Sequence, residues 1–232
     1  MKLFCFAHAG GTAASFGSVI KRVDGCALVP VERSGHGTRL AEPLLESMED
    51  YVQDAIKQMD AALDEPFGLL GHSMGAWQAY EVAAALYRMG LPRPAVLVVS
   101  GNTRPRTVPK LDMTESVSDQ AFLESVRGYT SIPVEILRRP ELRSVFFEPL
   151  RSDFSVLDRY VCCEEIVLEC PIIALYGSVD PLTASGDADW SSLTADRCEE
   201  YTFVGDHFFF YENEEVPRYL ASRLNERESM VC

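Results

Sequence analysis

Short apolar runs alternate with amphipathic stretches along most of this chain. Residues 3–6, 26–31, 67–70, 95–100, 172–176 and 200–204 read as short buried strands, too brief for helices and bounded by turn formers. Between them the period changes from 2 to about 3.6. Met48, Tyr51, Val52, Ala55, Ile56, Met59 and Leu63 fall on one face of a helix that Ser47 can cap. A second helical stretch runs from Ala76 to Met89 and meets Gly90, with Pro92 and Pro94 beyond, as a C-terminal stop requires. A last helix, with Val216, Tyr219, Leu220 and Leu224 on one face, can be capped by Asn213.

Strands alternating with helices imply βαβ crossovers and a mostly parallel sheet of about six strands, covered by helices on both faces. In such α/β folds, ligand chemistry gathers at the carboxyl ends of the strands. One segment breaks the alternation. Residues 112–165 carry only helical patterns, namely Phe122-Leu123-Val126, Leu142-Val145-Phe146-Leu150 and Phe154-Leu157. We expect one domain over residues 1–232, with 112–165 as a helical insertion. We read the insertion as a lid over the strand ends, with Phe146 and Phe154 facing substrate, because it leaves the sheet between the strand of Ser73 and that of Asp180; extra core helices on the sheet are the alternative.

Composition narrows the function classes. Of 232 residues, 47% are hydrophobic and 24% charged, ordinary for a globular protein. No apolar run approaches the ~20 residues of a membrane span, and the N-terminus is too short in apolar residues for a signal peptide. Seven cysteines without framework spacing favour a reducing cytoplasm and argue against a disulfide scaffold or a metal site. A formal net charge of −14 weighs against nucleic acid or an anionic membrane as partner.

The chemistry starts at Gly71-His72-Ser73-Met74-Gly75, where an apolar strand runs into a helix. A sharp strand-to-helix turn would expose the Ser73 hydroxyl, with helix N-terminal N–H groups beside it. A serine needs a base, and the base needs an acid that fixes its tautomer. Four histidines are available. His72 adjoins the serine and should point away from it, while His8 and His36 sit in early loops. His207 follows the last strand and is the candidate base. Asp180, directly after the 172–176 strand, is the candidate acid, with Asp187 and Asp189 read as helix caps. Backbone N–H groups of Met74 and Ala9 are the candidate oxyanion donors.

Together these segments resemble the type II thioesterases, stand-alone α/β-hydrolases that serve nonribosomal peptide and polyketide synthases. The likeness rests on Leu3-Phe4-Cys5-Phe6 with Ala9-Gly10-Gly11, on Gly35-His36-Gly37-Thr38-Arg39-Leu40 with Glu42-Pro43, and on Pro66-Phe67 leading into the 71–76 elbow. It extends to Arg151-Ser152-Asp153-Phe154 and Gly205-Asp206-His207-Phe208-Phe209. Ala7 stands where the family usually carries proline, and His36 where arginine is common. The resemblance implies hydrolysis of acyl groups from the phosphopantetheine thiol of carrier proteins; with no carrier module found in the chain, action in trans is expected, and a monomer is expected. No cofactor of the enzyme's own is implied, since phosphopantetheine belongs to the substrate. Arg104-Pro105-Arg106 with Lys110, and Arg138-Arg139 with Arg143, are the candidate basic patches for an acidic carrier. A small-ester carboxylesterase or lipase, and a non-catalytic binder on the same fold, are the competing expectations.

Overall fold

The computed structural model describes all residues except 21, 22, 24, 25, 106–116, 131, 133, 184–187 and 232. Six strands form one sheet in the order β2-β1-β3-β4-β5-β6. They are β1 (Lys2–Phe6), β2 (Ala27–Pro30), β3 (Phe67–His72), β4 (Leu97–Ser100), β5 (Ile172–Gly177) and β6 (Cys198–Phe203). Every pairing between them is parallel. The helices are α1 (Gly17–Ile20), α2 (Met48–Met59), α3 (Met74–Arg88), α4 (Asp119–Ser125), α5 (Pro140–Leu142), α6 (Glu148–Arg159), α7 (Phe209–Glu212) and α8 (Glu215–Val231).

The pleat sorts the strand residues into two cores. Phe4, Phe6, Leu69, Leu97, Val99, Ile172 and Ala174 face α2, α3 and the helices of the insertion. Their neighbours Leu3, Cys5, Leu70, Val96, Val98, Ile173 and Leu175 face Phe16 and Val19 near the N-terminus and Val216, Leu220 and Leu224 of α8. Burial on both faces is why the inner strands read as unbroken apolar runs rather than alternating ones. The last strand differs from expectation. It is an edge strand whose Glu200, Tyr201 and Thr202 are exposed, and it stops at Phe203, leaving Val204 outside it. With a neighbour on one side only, β6 needs no continuous apolar run.

Both expected caps form. Ser47 Oγ accepts from the Asp50 N–H at 3.1 Å, and Asn213 Oδ1 from the Glu215 N–H at 2.8 Å. Such a cap typically contributes about 1 kcal/mol. Of the α2 face, Met48, Tyr51, Val52, Ala55, Met59 and Leu63 are buried and Ile56 is partly so. Among the described residues no helix is long and apolar enough to cross a membrane.

No strand interrupts the described residues between β4 and β5, in keeping with an inserted helical segment. Its register holds a correction. Residues Arg143–Phe147 form a π-helical turn ahead of α6. The wider turn takes up an extra residue, so Phe147, fully buried, faces inward where the α-periodic pattern placed Phe146, which is 42% exposed.

The topology reverses between β1 and β3. From β1 the chain steps outward to β2, then returns to the other side of β1 as β3. A crevice opens at such a switch point, outside the carboxyl ends of the two strands. It receives the loop after β1 and the turn after β3.

That turn requires two glycines. A Cβ on Gly71 would overlap the Gly75 carbonyl, and one on Gly75 would overlap the Phe6 carbonyl. Both obstacles are backbone and cannot swing away. Gly71→Ala and Gly75→Ala should therefore each destabilise by about 3 kcal/mol or more, beyond most overpacking changes. Urea melts of the two variants check this; midpoints close to wild type would show that the elbow tolerates a wider approach.

Candidate active site

Ser73 sits between β3 and α3 with φ 57° and ψ −122°, a backbone region that non-glycine residues rarely occupy. Neighbouring groups hold it there. The Ser73 N–H donates to Ser100 O at 2.8 Å, extending the β3–β4 ladder through the turn. Asn102 Nδ2 donates to Ser73 O at 3.0 Å. Met74 opens α3, so its N–H belongs to the first turn, which has no acceptor inside the helix.

The turns after β3, β5 and β6 bring Ser73, Asp180 and His207 together. Ser73 Oγ lies 2.8 Å from His207 Nε2, and His207 Nδ1 lies 3.0 Å from Asp180 Oδ2. Asp180 Oδ1 accepts from the Leu182 N–H at 3.0 Å, which fixes the plane of the carboxylate. All three are buried, Asp180 completely and Ser73 at 8% exposure. Such a relay lets imidazole take the serine proton while the carboxylate holds the ring in one tautomer.

A layer of rings backs His207. The His72 ring lies 5.1 Å from that of His207, stacks on Phe210 and bonds Ser100 Oγ at 3.0 Å. His8 bonds Tyr211 Oη at 3.0 Å and packs edge-on against Phe208. Burial, and then the neighbouring His207, push the His72 pKa well below the usual histidine range. Burial and Arg33 lower that of His8 to about 3. From the insertion, the Tyr129 ring stands edge-on to His207 at 5.5 Å.

The loop after β1 carries Ala9, and it is tied down by charge. Asp153, in α6, is fully buried and accepts at Oδ2 from the Gly10 N–H (2.7 Å) and from Arg33 Nη2 (2.9 Å). His36 Nε2 lies 3.2 Å from the same oxygen, and the Tyr51 hydroxyl donates to Oδ1 at 2.7 Å. Burial by itself would raise the Asp153 pKa. Arg33, His36 and the Tyr51 hydrogen bond outweigh it and hold the carboxyl below its usual range. Breaking one side of such a buried pair typically costs about 3–5 kcal/mol, because the other charge is left unpaired.

Other expectations fare variously. Phe154 is buried against Phe122, which also meets Phe147 edge-on, so it belongs to the insertion's own packing. Asp189 does precede a helical turn, but its side chain does not cap it and instead faces Arg104 at 3.6 Å. Asp187 lies outside the described residues, as do Arg106 and Lys110 of one basic patch. The described arginines of both patches are largely met by local acids: Arg104 by Glu165 and Asp189, Arg139 by Glu141, and Arg143 by Asp119 and Glu148. Tyr129, Asn102 and Arg33 carry no local signal in the sequence; Tyr51 reads only as one position of an apolar helix face, and Asp153 only as part of Arg151-Ser152-Asp153-Phe154.

Comparison with known proteins then decides the family. A family model described as "Thioesterase domain" matches residues 1–226. The chain belongs to the thioesterase family. Among this thioesterase's relatives is the gramicidin S biosynthesis protein GrsT of Aneurinibacillus migulanus, 29% identical over 97% of this chain and 89% of that protein. Thioesterase PikA5 of Streptomyces venezuelae is 30% identical over 90% of this chain and 75% of that one. Among solved structures, ClbQ from the colibactin NRPS/PKS pathway superposes with a TM-score of 0.88 at 28% identity, covering 99% and 98% of the two chains. The type II thioesterase BorB from the borrelidin biosynthetic cluster superposes at 0.80, with 28% identity and 97% and 91% coverage.

The neutral, buried histidines have a thermodynamic consequence. Their pKa values are depressed in the fold, so the unfolded chain binds protons first as pH falls. Stability should be undiminished above about pH 6.5. Below it the thioesterase should lose up to about 1.4 kcal/mol per pH unit for each histidine kept neutral. Urea unfolding at pH 7.0 and 5.5, above the range where carboxylates titrate, checks this; equal stability at the two values would contradict it.

Proposed function

We propose that this thioesterase hydrolyses acyl groups from the phosphopantetheine thiol of carrier proteins in trans, clearing misprimed or stalled synthase carriers. The observation that carries the reading is the continuous relay from Ser73 Oγ through His207 to Asp180, at 2.8 and 3.0 Å, in a chain of the thioesterase family. The pathway names of ClbQ and BorB support the choice of substrate class.

In this mechanism Ser73 attacks the thioester carbonyl as its proton passes to His207 Nε2. Asp180 keeps His207 Nδ1–H in place and stabilises the imidazolium. The negative charge on the tetrahedral oxygen is met by the N–H groups of Met74 and Ala9. His207 then returns the proton to the departing phosphopantetheine sulfur, leaving an acyl-Ser73 ester. Water activated by the same imidazole attacks that ester and frees the acid. The enzyme works in the cytoplasm as a monomer, and no cofactor of its own enters any step.

Access is the other half of the reading. With Ser73 8% exposed and Tyr129 against His207, a pantetheine arm can reach the serine only if part of the insertion moves. We assign that movement to the described residues around Tyr129, ahead of α6, with Tyr129 at the mouth and the apolar Phe146 region beside it. The acyl chain is selected there. Because Arg104, Arg139 and Arg143 are paired with local acids, carrier docking rests more on this apolar rim than on those three charges.

Ser73→Ala should lower kcat for an acyl-carrier thioester by roughly 10³-fold or more, and Asp180→Asn by on the order of 10⁴-fold, as in other triads. Both are measured by release of free carrier thiol. A Ser73→Ala enzyme that kept wild-type turnover would refute the mechanism. A matched oxygen ester should turn over more slowly than the thioester; the reverse order would favour a carboxylesterase.

Tyr129→Ala should alter relative kcat/KM across carriers loaded with short and long acyl chains while leaving the melting temperature within a few degrees. Unchanged chain preference in a folded variant would remove Tyr129 from the acyl path.

A further inference from the structure

The buried charges around Asp153 have no part in the proton relay, yet they bear on its geometry. Arg33 is 3% exposed, and its guanidinium grips the loop after β1 at three carbonyls. Nη1 donates to Ala7 O at 2.9 Å, and Nη2 to His8 O at 2.7 Å and Gly11 O at 3.2 Å. On its other side Nη2 meets Asp153 Oδ2. The same Asp153 oxygen takes the Gly10 N–H. The helix bearing Asp153 also approaches the loop closely. A Cβ on Gly10, whose φ is +70°, would press on the Leu150 side chain and stand 3.3 Å from its Cα.

Peptide geometry turns these contacts into an orientation. No peptide bond of the described chain is cis, and across a trans peptide the C=O and N–H point in opposite directions. With His8 O fixed on Arg33, the N–H of the same peptide unit, that of Ala9, must point away from Arg33. With the Gly10 N–H spent on Asp153, that group is not available to a substrate. The ion pair thus decides which N–H of the loop faces the site.

We propose that Asp153 and Arg33 are positioning residues that set the His8–Ala9 and Ala9–Gly10 peptide planes, aiming the Ala9 N–H at the substrate oxyanion while excluding that of Gly10. The inference rests on the oxyanion role given to Ala9 under the proposed function, and it deepens that reading. It also divides the insertion. Its last helix, α6, is a fixed part of the catalytic apparatus and not of any cover.

Two experiments test it. The first uses Arg33→Lys, which keeps the positive charge but loses the fork that reaches three carbonyls. In the folded variant, kcat for an acyl thioester should fall about 10²-fold, the loss that a misplacement near 1 Å brings. Affinity for a trifluoromethyl ketone of the same acyl chain, which forms an oxyanion on Ser73, should fall by a similar factor. The Kd of a non-hydrolysable thioether analogue should move less than threefold. If kcat and ketone affinity stay within threefold of wild type, or if thioether binding falls as much as kcat, the proposal is overturned.

The second experiment needs no variant and stands if Arg33→Lys fails to fold. In wild-type enzyme with ¹⁵N-labelled alanine and glycine, binding of the trifluoromethyl ketone should shift the Ala9 N–H proton downfield by a part per million or more. The Gly10 N–H, already bonded to Asp153, should move far less. A large shift at Gly10 with Ala9 unmoved would reverse the assignment. Failure of the underlying mechanism looks different: Ser73→Ala would then still turn over the thioester, and the ketone would form no adduct at Ser73 in the wild type.

Discussion

A serine held at φ 57° is the constraint on which this molecule turns. The chain must leave β3 and enter α3 within one residue, and that conformation survives only where neighbours over-determine it. Gly71 and Gly75 let backbone pass backbone. Ser100 extends its strand's ladder to the Ser73 N–H, and Asn102 fastens the Ser73 carbonyl. The strain keeps the hydroxyl at the tip of the turn, at hydrogen-bonding distance from His207. The parallel sheet then does the gathering. Asp180 and His207 leave the carboxyl ends of β5 and β6, and Ala9 leaves that of β1 on the other side of the elbow.

Burial of charge is the second organising theme. In a chain with a net charge of −14, acidic groups are plentiful at the surface, but Asp153 is fully enclosed. Enclosing a carboxylate is unfavourable unless its oxygens are met by donors. Here a guanidinium, a phenol hydroxyl, a backbone N–H and an imidazole do so, and they reach Asp153 on α6 from the β1 loop, the segment after β2 and α2. One carboxylate therefore joins parts of the fold that hydrophobic packing would leave able to slide. The ring layer of His8, His72, Phe210 and Tyr211 is its counterpart behind the base, where neutral imidazoles fill space without adding charge beside His207.

Under the function proposed above, the insertion joins two demands that pull apart: a cover that opens for the substrate arm, and a fixed neighbour for the loop after β1. Placing the π-turn of Arg143–Phe147 directly before α6 sets an irregular, less regularly bonded segment at the boundary between the two. Phe122, Phe147 and Phe154 pack together there, so the boundary is also apolar.

Most of the fold was legible in the sequence because it rests on local signals. Buried parallel strands are continuous apolar runs, the α2 face repeats every 3.6 residues, and Ser47, Gly90 and Asn213 mark helix ends chemically. The elbow and its two partners were legible for a related reason: each stands in a short motif directly after a strand, and few histidines competed. Signals failed where partners are distant in the chain. The edge position of β6 loosened its pattern, and the π-turn put Phe147 where periodicity put Phe146. The ties of Asp153 to Arg33 and Tyr51 span 120 and 102 residues. No local pattern announces a buried ion pair, because a charged residue in a helix or loop reads as surface until the fold encloses it. The sequence determined the sheet, the helices and the order of the reacting groups. Only the tertiary structure decided which charges would be buried together, because partners 102 and 120 residues apart meet only once the chain has folded.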